Sequence, residues 1–145
     1  MLNQYRNIYQ IARESSGFTQ EKAAELLNIS VESIRAYEGD KRIPPNNVVV
    51  NMVEIYNAQF LAFKHLKNSE LGQKYLPEVE VKSLSISILN LQKEIKKFNK
   101  CEELLIEIGS DGIISDDEKA NWINVQNELN SIVEAILALK YSKEG

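Results

Sequence analysis

With one cysteine, one histidine, three prolines and six glycines in 145 residues, the sequence lacks the material for several kinds of protein. The lone Cys101 builds no internal disulfide framework. His65, the only histidine, leaves no cluster for a zinc site and no partner for a His-based triad. Sparse glycine and proline favour long helices over a turn-rich β sandwich. No apolar run reaches the ~18 residues of a membrane-crossing helix. The start, Met1-Leu2-Asn3-Gln4-Tyr5-Arg6, has no apolar signal-peptide core, so the expected compartment is the cytoplasm. No nucleophile, base and orienting group occur together, so neither an enzyme nor a cofactor is expected. What is there, 43% hydrophobic and 26% charged residues, suits a folded chain rather than a disordered one.

The net charge of −4 is unevenly spread. Residues 1–68 hold 8 Lys+Arg against 7 Asp+Glu, a net of +1; residues 69–145 hold 9 against 14, a net of −5. A near-neutral half is followed by an acidic one, and the punctuation changes at the same place.

In the first half, short apolar-periodic segments alternate with capping residues. Asn3 is placed to cap a helix carrying Tyr5, Ile8 and Ala12, which Gly17 ends. Thr19 caps a second helix, 20–27, with Ala23, Ala24 and Leu27 on one face. Asn28, a residue type that tolerates positive φ, makes the turn. Ser30 then caps a third helix, 31–38, burying Ile34 and Tyr37. Pro44-Pro45 separates it from a fourth helix, with Pro45 in the first turn and Val49, Met52, Val53 and Tyr56 inward; a fifth covers 59–66.

The second half repeats every three or four residues. Leu84, Ile88, Leu91, Ile95 and Phe98 form one stripe, and Leu105 falls a heptad beyond. Trp122, Val125, Leu129, Ile132, Ile136 and Leu139 form another. Gly109 and Asp111-Gly112 make the turn between two long helices, and Ser115 with Glu118 has the spacing of a capping box. The stretch 79–88 also reads partly with period two. Around Gly112, a calcium-loop alignment puts Glu107 and Gly109 at its first and third positions, and glycine offers no side-chain ligand, so no metal is expected.

Two short helices across Asn28-Ile29-Ser30 have the layout of a helix-turn-helix. With Ile34 and Tyr37 inward, Val31, Glu32, Arg35 and Ala36 turn outward, Ser33 lies near the leading edge, and Ser30 opens the helix. Such a helix fits a major groove about 12 Å wide. Gln20 is placed to offer backbone and side-chain amides to a phosphate, and Lys41 and Arg42 to clamp the backbone alongside.

These residues resemble the helix-turn-helix of phage repressor and Cro-type (Xre) regulators. Arg13, Thr19-Gln20-Glu21, Ala24, Ile29-Ser30, Ile34, Glu38, Arg42 and Pro44 carry the resemblance, over about the first 65 residues. It implies five helices, a DNA-facing set of Gln20, Val31, Glu32, Ser33 and Ala36, and a structural pair between Arg13 and Glu38. An exposed pair there would be worth under about 1 kcal/mol. The usual glycine of the inter-helix turn is Asn28, and in Glu38-Gly39-Asp40-Lys41-Arg42 the glycine comes one position early, which bears on phosphate contacts from that loop.

The expected protein is all-α: a five-helix, repressor-like DNA-binding domain at 1–68, then a long antiparallel helical hairpin at 69–145 for dimerisation. Two helices cannot seal a core, so Leu91, Ile95, Phe98, Val125, Leu129, Ile132 and Ile136 are expected to meet a second copy, as a symmetric operator demands. The partners implied are double-stranded DNA and a second copy of the chain. The alternative, from another class, is an antitoxin or adaptor holding a protein partner through the hairpin.

Overall fold

The computed structural model describes residues 5–142 and divides the chain into two compact units, Met1–Leu76 and Pro77–Gly145. Among the described residues the chain forms helices and no strand. The first unit runs past the boundary at 68/69 drawn from composition, because a further short helix belongs to it.

In that unit, α1 (Ile8–Ser15), α2 (Gln20–Leu27), α3 (Val31–Glu38), α4 (Asn46–Ile55), α5 (Gln59–Lys67) and α6 (Glu70–Tyr75) follow one another. Short polar side chains set most of the starts: Asn7 accepts from the amides of Tyr9 and Gln10, Thr19 from Lys22, Ser30 from Ser33 and Ser69 from Gly72. The expected cap Asn3 lies outside the described residues. Tyr5 precedes α1 rather than riding on it, since Asn7 satisfies the first amides two residues later. Pro45 occupies the cap position of α4 rather than its first turn.

The core gathers one face of every helix from α1 to α5: Tyr9 and Ala12, Ala23, Ala24 and Leu27, Ile34 and Tyr37, Val48, Val49 and Met52, and Leu61, with Tyr56 just beyond α4. Ile34 is 1% exposed, and removing such a side chain from water stabilises the fold by roughly 1.5–3 kcal/mol. His65 is part of this packing. Its Nδ1 lies 2.7 Å from the Tyr9 hydroxyl and its Nε2 lies 3.0 Å from Oδ1 of Asn46. A neutral ring protonated on Nε2 satisfies both contacts, and burial lowers the ring's pKa. Helix α6 closes against the end of α5 so tightly that a Cβ at Gly72 would meet the Leu66 carbonyl oxygen; only glycine fits there.

The second unit contains α7 (Leu84–Asn99), α8 (Glu102–Gly109) and α9 (Lys119–Lys140). The first arm of the expected hairpin is therefore two helices. At Lys100 and Cys101 the amides bond to the third residue back, Lys97 and Phe98, and the α-helical ladder resumes only at Leu105. α7 and α8 both pack on α9. The capping box forms by half. The Ser115 amide and hydroxyl both donate to Glu118 Oε2, at 2.8 Å each, but α9 begins at Lys119, after that turn. The 79–88 ambiguity resolves at Ser83, which caps α7.

The arms bury only part of the apolar stripes between them. Ser87, Glu94, Ala135 and Ala138 are buried, with Val125 and Ile108, while Ile95 and Ile136 stay 44% and 49% exposed. Val125, at 0% exposure, is fully covered within one chain, so it has no surface to offer a second copy.

Candidate nucleic-acid interface

The turn between α2 and α3 follows from backbone geometry. Asn28 takes the left-handed conformation (φ 53°, ψ 44°), and the amide of Ile29 bonds to the Ala24 carbonyl at 3.0 Å, which closes α2. Ala24 is 3% exposed, and its small side chain lets α2 and α3 pack closely. Ile29 packs against the core beneath the turn.

The end of α3 uses the same device. Asp40, not Gly39, adopts positive φ (56°), and the Lys41 amide reaches back to the Ala36 carbonyl at 2.9 Å. The early glycine therefore leaves the left-handed position in place. Asp40 is held there by Asn7, whose Nδ2 donates to its Oδ1 at 2.9 Å and to the Tyr37 carbonyl at 2.6 Å. Asn7 thus caps α1 and anchors the α3 exit. Its sequence signal was its capping residue type, immediately before Ile8, the first apolar position of α1.

A buried ion pair fixes α3 to α1. Arg13 donates through Nε to Glu38 Oε1 at 2.6 Å and through Nη2 to Oε2 at 3.0 Å, and its Nη1 donates to the Phe18 carbonyl at 2.6 Å. The two side chains are 8% and 5% exposed, so this is a desolvated two-bond pair rather than a surface contact. The hydrogen bonds Arg13 donates to Glu38 raise its pKa further. Burial, aided by the Glu38 charge, pushes the Tyr56 hydroxyl up to about 12.

From Glu38 the network continues to the surface. Gln20 Nε2 donates to Glu38 Oε2 at 2.9 Å, which uses one of its two amide protons and ties the side chain to the buried pair. Its Oε1 accepts from Arg35 at 3.4 Å. Arg35 is more than half exposed and lies 3.6 Å from Glu21; it turns towards α2 rather than to its i−3 neighbour Glu32. The outward surface of α3 then carries Glu32 and Arg35, both exposed, with Val31, Ser33 and Ala36 half-buried.

The basic residues beyond α3 flank that surface. Arg42 donates to Ser33 Oγ at 2.9 Å with its guanidinium 5.3 Å from the centre of the Tyr37 ring. Ser33 Oγ also accepts from Ser30 Oγ at 3.0 Å, which leaves its own proton to be donated outward. Lys41 is exposed. Ser30, whose oxygen caps the Ser33 amide, is mainly the device that starts the helix.

The first unit has the arrangement of a helix-turn-helix domain, with α2 and α3 meeting across the left-handed turn at Asn28. Residues 10–60 match the helix-turn-helix domain family. The chain is also similar to the HTH-type transcriptional regulator ImmR of Bacillus subtilis (strain 168), with 30% identity over 83 residues. The matched part is 57% of this chain and 64% of that relative, just under two thirds of its length. No solved structure matches the chain significantly.

Proposed function

We propose that this protein is a DNA-binding transcriptional regulator, acting as a repressor, whose α3 reads base edges in the major groove while a second copy supplies the other half-site. The observation that carries the reading is the division of α3: Ile34, Tyr37 and the paired Glu38 are buried, and Glu32 and Arg35 stand outward between the start of α2 and the Lys41–Arg42 loop. Arg35 supplies the two-pronged donor suited to guanine, Val31 and Ala36 suit thymine methyls, and Glu32 suits a cytosine amino group. A reading head with so few cations binds weakly alone, which favours two heads acting together.

The half-exposed stripe, Ile95 with Leu129 and Ile136, flanked by the half-buried Leu91, Phe98 and Ile132, supports pairing of two copies through the second unit. Repression then follows from occupancy, since a dimer on its operator excludes polymerase. The same exposed stripe suits an antitoxin or adaptor that holds a different protein, and oligomeric state separates the two readings. A homodimer supports the regulator; a monomer supports the adaptor.

The DNA reading is tested on a site selected from a random pool. Arg35→Ala is expected to lose about 1–3 kcal/mol on the selected site and little on random DNA. Glu32→Ala is expected to tighten binding to random DNA by removing a charge that repels phosphate. If both variants keep the wild-type ratio of specific to random binding, α3 is not the reading head.

A further inference from the structure

The Gln20 amide is held in one orientation, and that orientation bears on how Arg35 meets a base. We propose that Gln20 is a positioning residue that aims the Arg35 guanidinium at guanine, so that part of the base preference of α3 is set from α2. The inference rests on the reading of α3 as the DNA-contacting helix and adds the residue that gives Arg35 its direction.

The chain of contacts starts in the interior. Glu38, 8% exposed, accepts from Nε and Nη2 of Arg13, and its Oε2 also accepts from Gln20 Nε2 at 2.9 Å. A carboxylate paired with a guanidinium offers acceptors only, so Gln20 turns its amino group towards it. The carbonyl end of the amide is thereby held away from Glu38, where Oε1 accepts from Arg35 Nε at 3.4 Å. Without that carboxylate either end of the amide is free to face outward. With it, the surface beside α3 receives an acceptor.

The contact engages one edge of the guanidinium. Nε faces Gln20, and Nη2 lies 3.6 Å from Glu21 Oε1. The outer end, Nη1 with the second proton of Nη2, is left as the two-pronged donor that guanine O6 and N7 accept. The Arg35 side chain is 57% exposed, and a long side chain held in advance loses less freedom on binding than a loose one. The fixed edge also leaves the fork one direction. Of the two contacts from α2, the ion pair with Glu21 joins two exposed side chains and is worth little. The contact with Gln20 leads back to a buried pair, and the direction of Arg35 depends on it.

The test measures base preference at every position of a site selected from a random pool. The full chain is compared as wild type, Gln20→Met, Gln20→Ala, Arg35→Ala and the double variant Gln20→Met with Arg35→Ala. Methionine keeps the length of the side chain without its amide, and alanine reports the same loss if methionine packs differently. Arg35→Ala identifies the guanine in each half-site. Both Gln20 variants are expected to lose roughly fivefold or more of the preference for that same guanine, with affinity for random DNA within about twofold of wild type. In the Arg35→Ala background, Gln20→Met is expected to change the preference no further, because residues that act through one another are not additive. The proposal is overturned by an unchanged guanine preference in both Gln20 variants or by additive losses in the double variant. It is overturned equally by a preference lost at a different base pair, which would make Gln20 a reader itself. Equal weakening on all sequences would also overturn it, giving Gln20 a phosphate or folding role instead. If Arg35→Ala keeps every wild-type preference, the reading of Arg35 falls too, so the two failures are distinguishable.

Discussion

The two units solve the burial problem differently. The first encloses a core to which every helix from α1 to α5 contributes, and its buried charges, Arg13 and Glu38, satisfy each other through two hydrogen bonds. The second puts alanines, a serine and a glutamate between its arms, leaves isoleucines half exposed, and buries acceptor atoms that have no partner. The first is built to hold a surface in a fixed shape. The second leaves apolar side chains open along its stripe, and the proposed pairing of copies would cover them.

The sharpest way to break the first unit's self-sufficiency is to orphan its ion pair. Glu38→Ala leaves the Arg13 charge buried without its carboxylate and also releases Gln20; a loss of roughly 3–5 kcal/mol is expected, read from urea unfolding. Replacing both partners, Arg13→Met with Glu38→Leu, is expected to recover much of that loss, because no charge is then stranded. An unchanged midpoint in Glu38→Ala would show that the pair does not hold α3 in place.

In the second unit the corresponding change is Ile95→Asp. Ile95 is 44% exposed in one chain, so the substitution is tolerated by the single hairpin, whereas in the proposed seam between copies it would strand a carboxylate at a cost of several kcal/mol. Light scattering is expected to show monomers with helicity retained. A variant that remains dimeric would put the interface elsewhere.

The contrast explains what could be read from the sequence. The boundaries of α2 and α3 were legible because local chemistry sets them: Thr19 and Ser30 cap, Asn28 adopts the left-handed turn, and Ile34 and Tyr37 mark the inner face. Asn7 was harder to assign, because its distant contacts, with Tyr37 and Asp40, are made across the fold. The same holds for Gln20, whose side chain is directed by a carboxylate from another helix. In the second unit, periodicity showed two apolar stripes but not which way they face. Stripe spacing alone does not distinguish a seam inside a hairpin from one on its flank, and Val125 and Ile95, both stripe members, end in opposite environments. The break at Lys100–Cys101 carries no glycine or proline to announce it.

Smaller effects sharpen the account of the first unit. Arg42→Ala is expected to weaken binding about equally on all DNA sequences and to reduce the salt slope by roughly one unit, measured by titrating binding against salt. An unchanged slope would move the Lys41–Arg42 loop off the phosphates. The effect of pH on this unit is smaller still. Burial lowers the His65 pKa, so the neutral ring belongs to the folded state. Stability from this source is fully present above the ordinary value of about 6.5 and falls as pH drops through it towards the lowered one. His65→Gln is expected to flatten that part of the curve of melting temperature against pH; an unaltered curve would assign the dependence to other groups.

Whether one unit reads DNA while the other pairs the copies is tested most directly by counting chains on DNA. Sedimentation of the full chain on a selected site with two half-sites about 34 Å apart, and on the same DNA with one half-site scrambled, measures that number. The account predicts two chains bound cooperatively on the intact site, and Ile95→Asp chains binding each half-site independently and more weakly. A single wild-type chain saturating the intact site, or cooperative binding that survives Ile95→Asp, would contradict it.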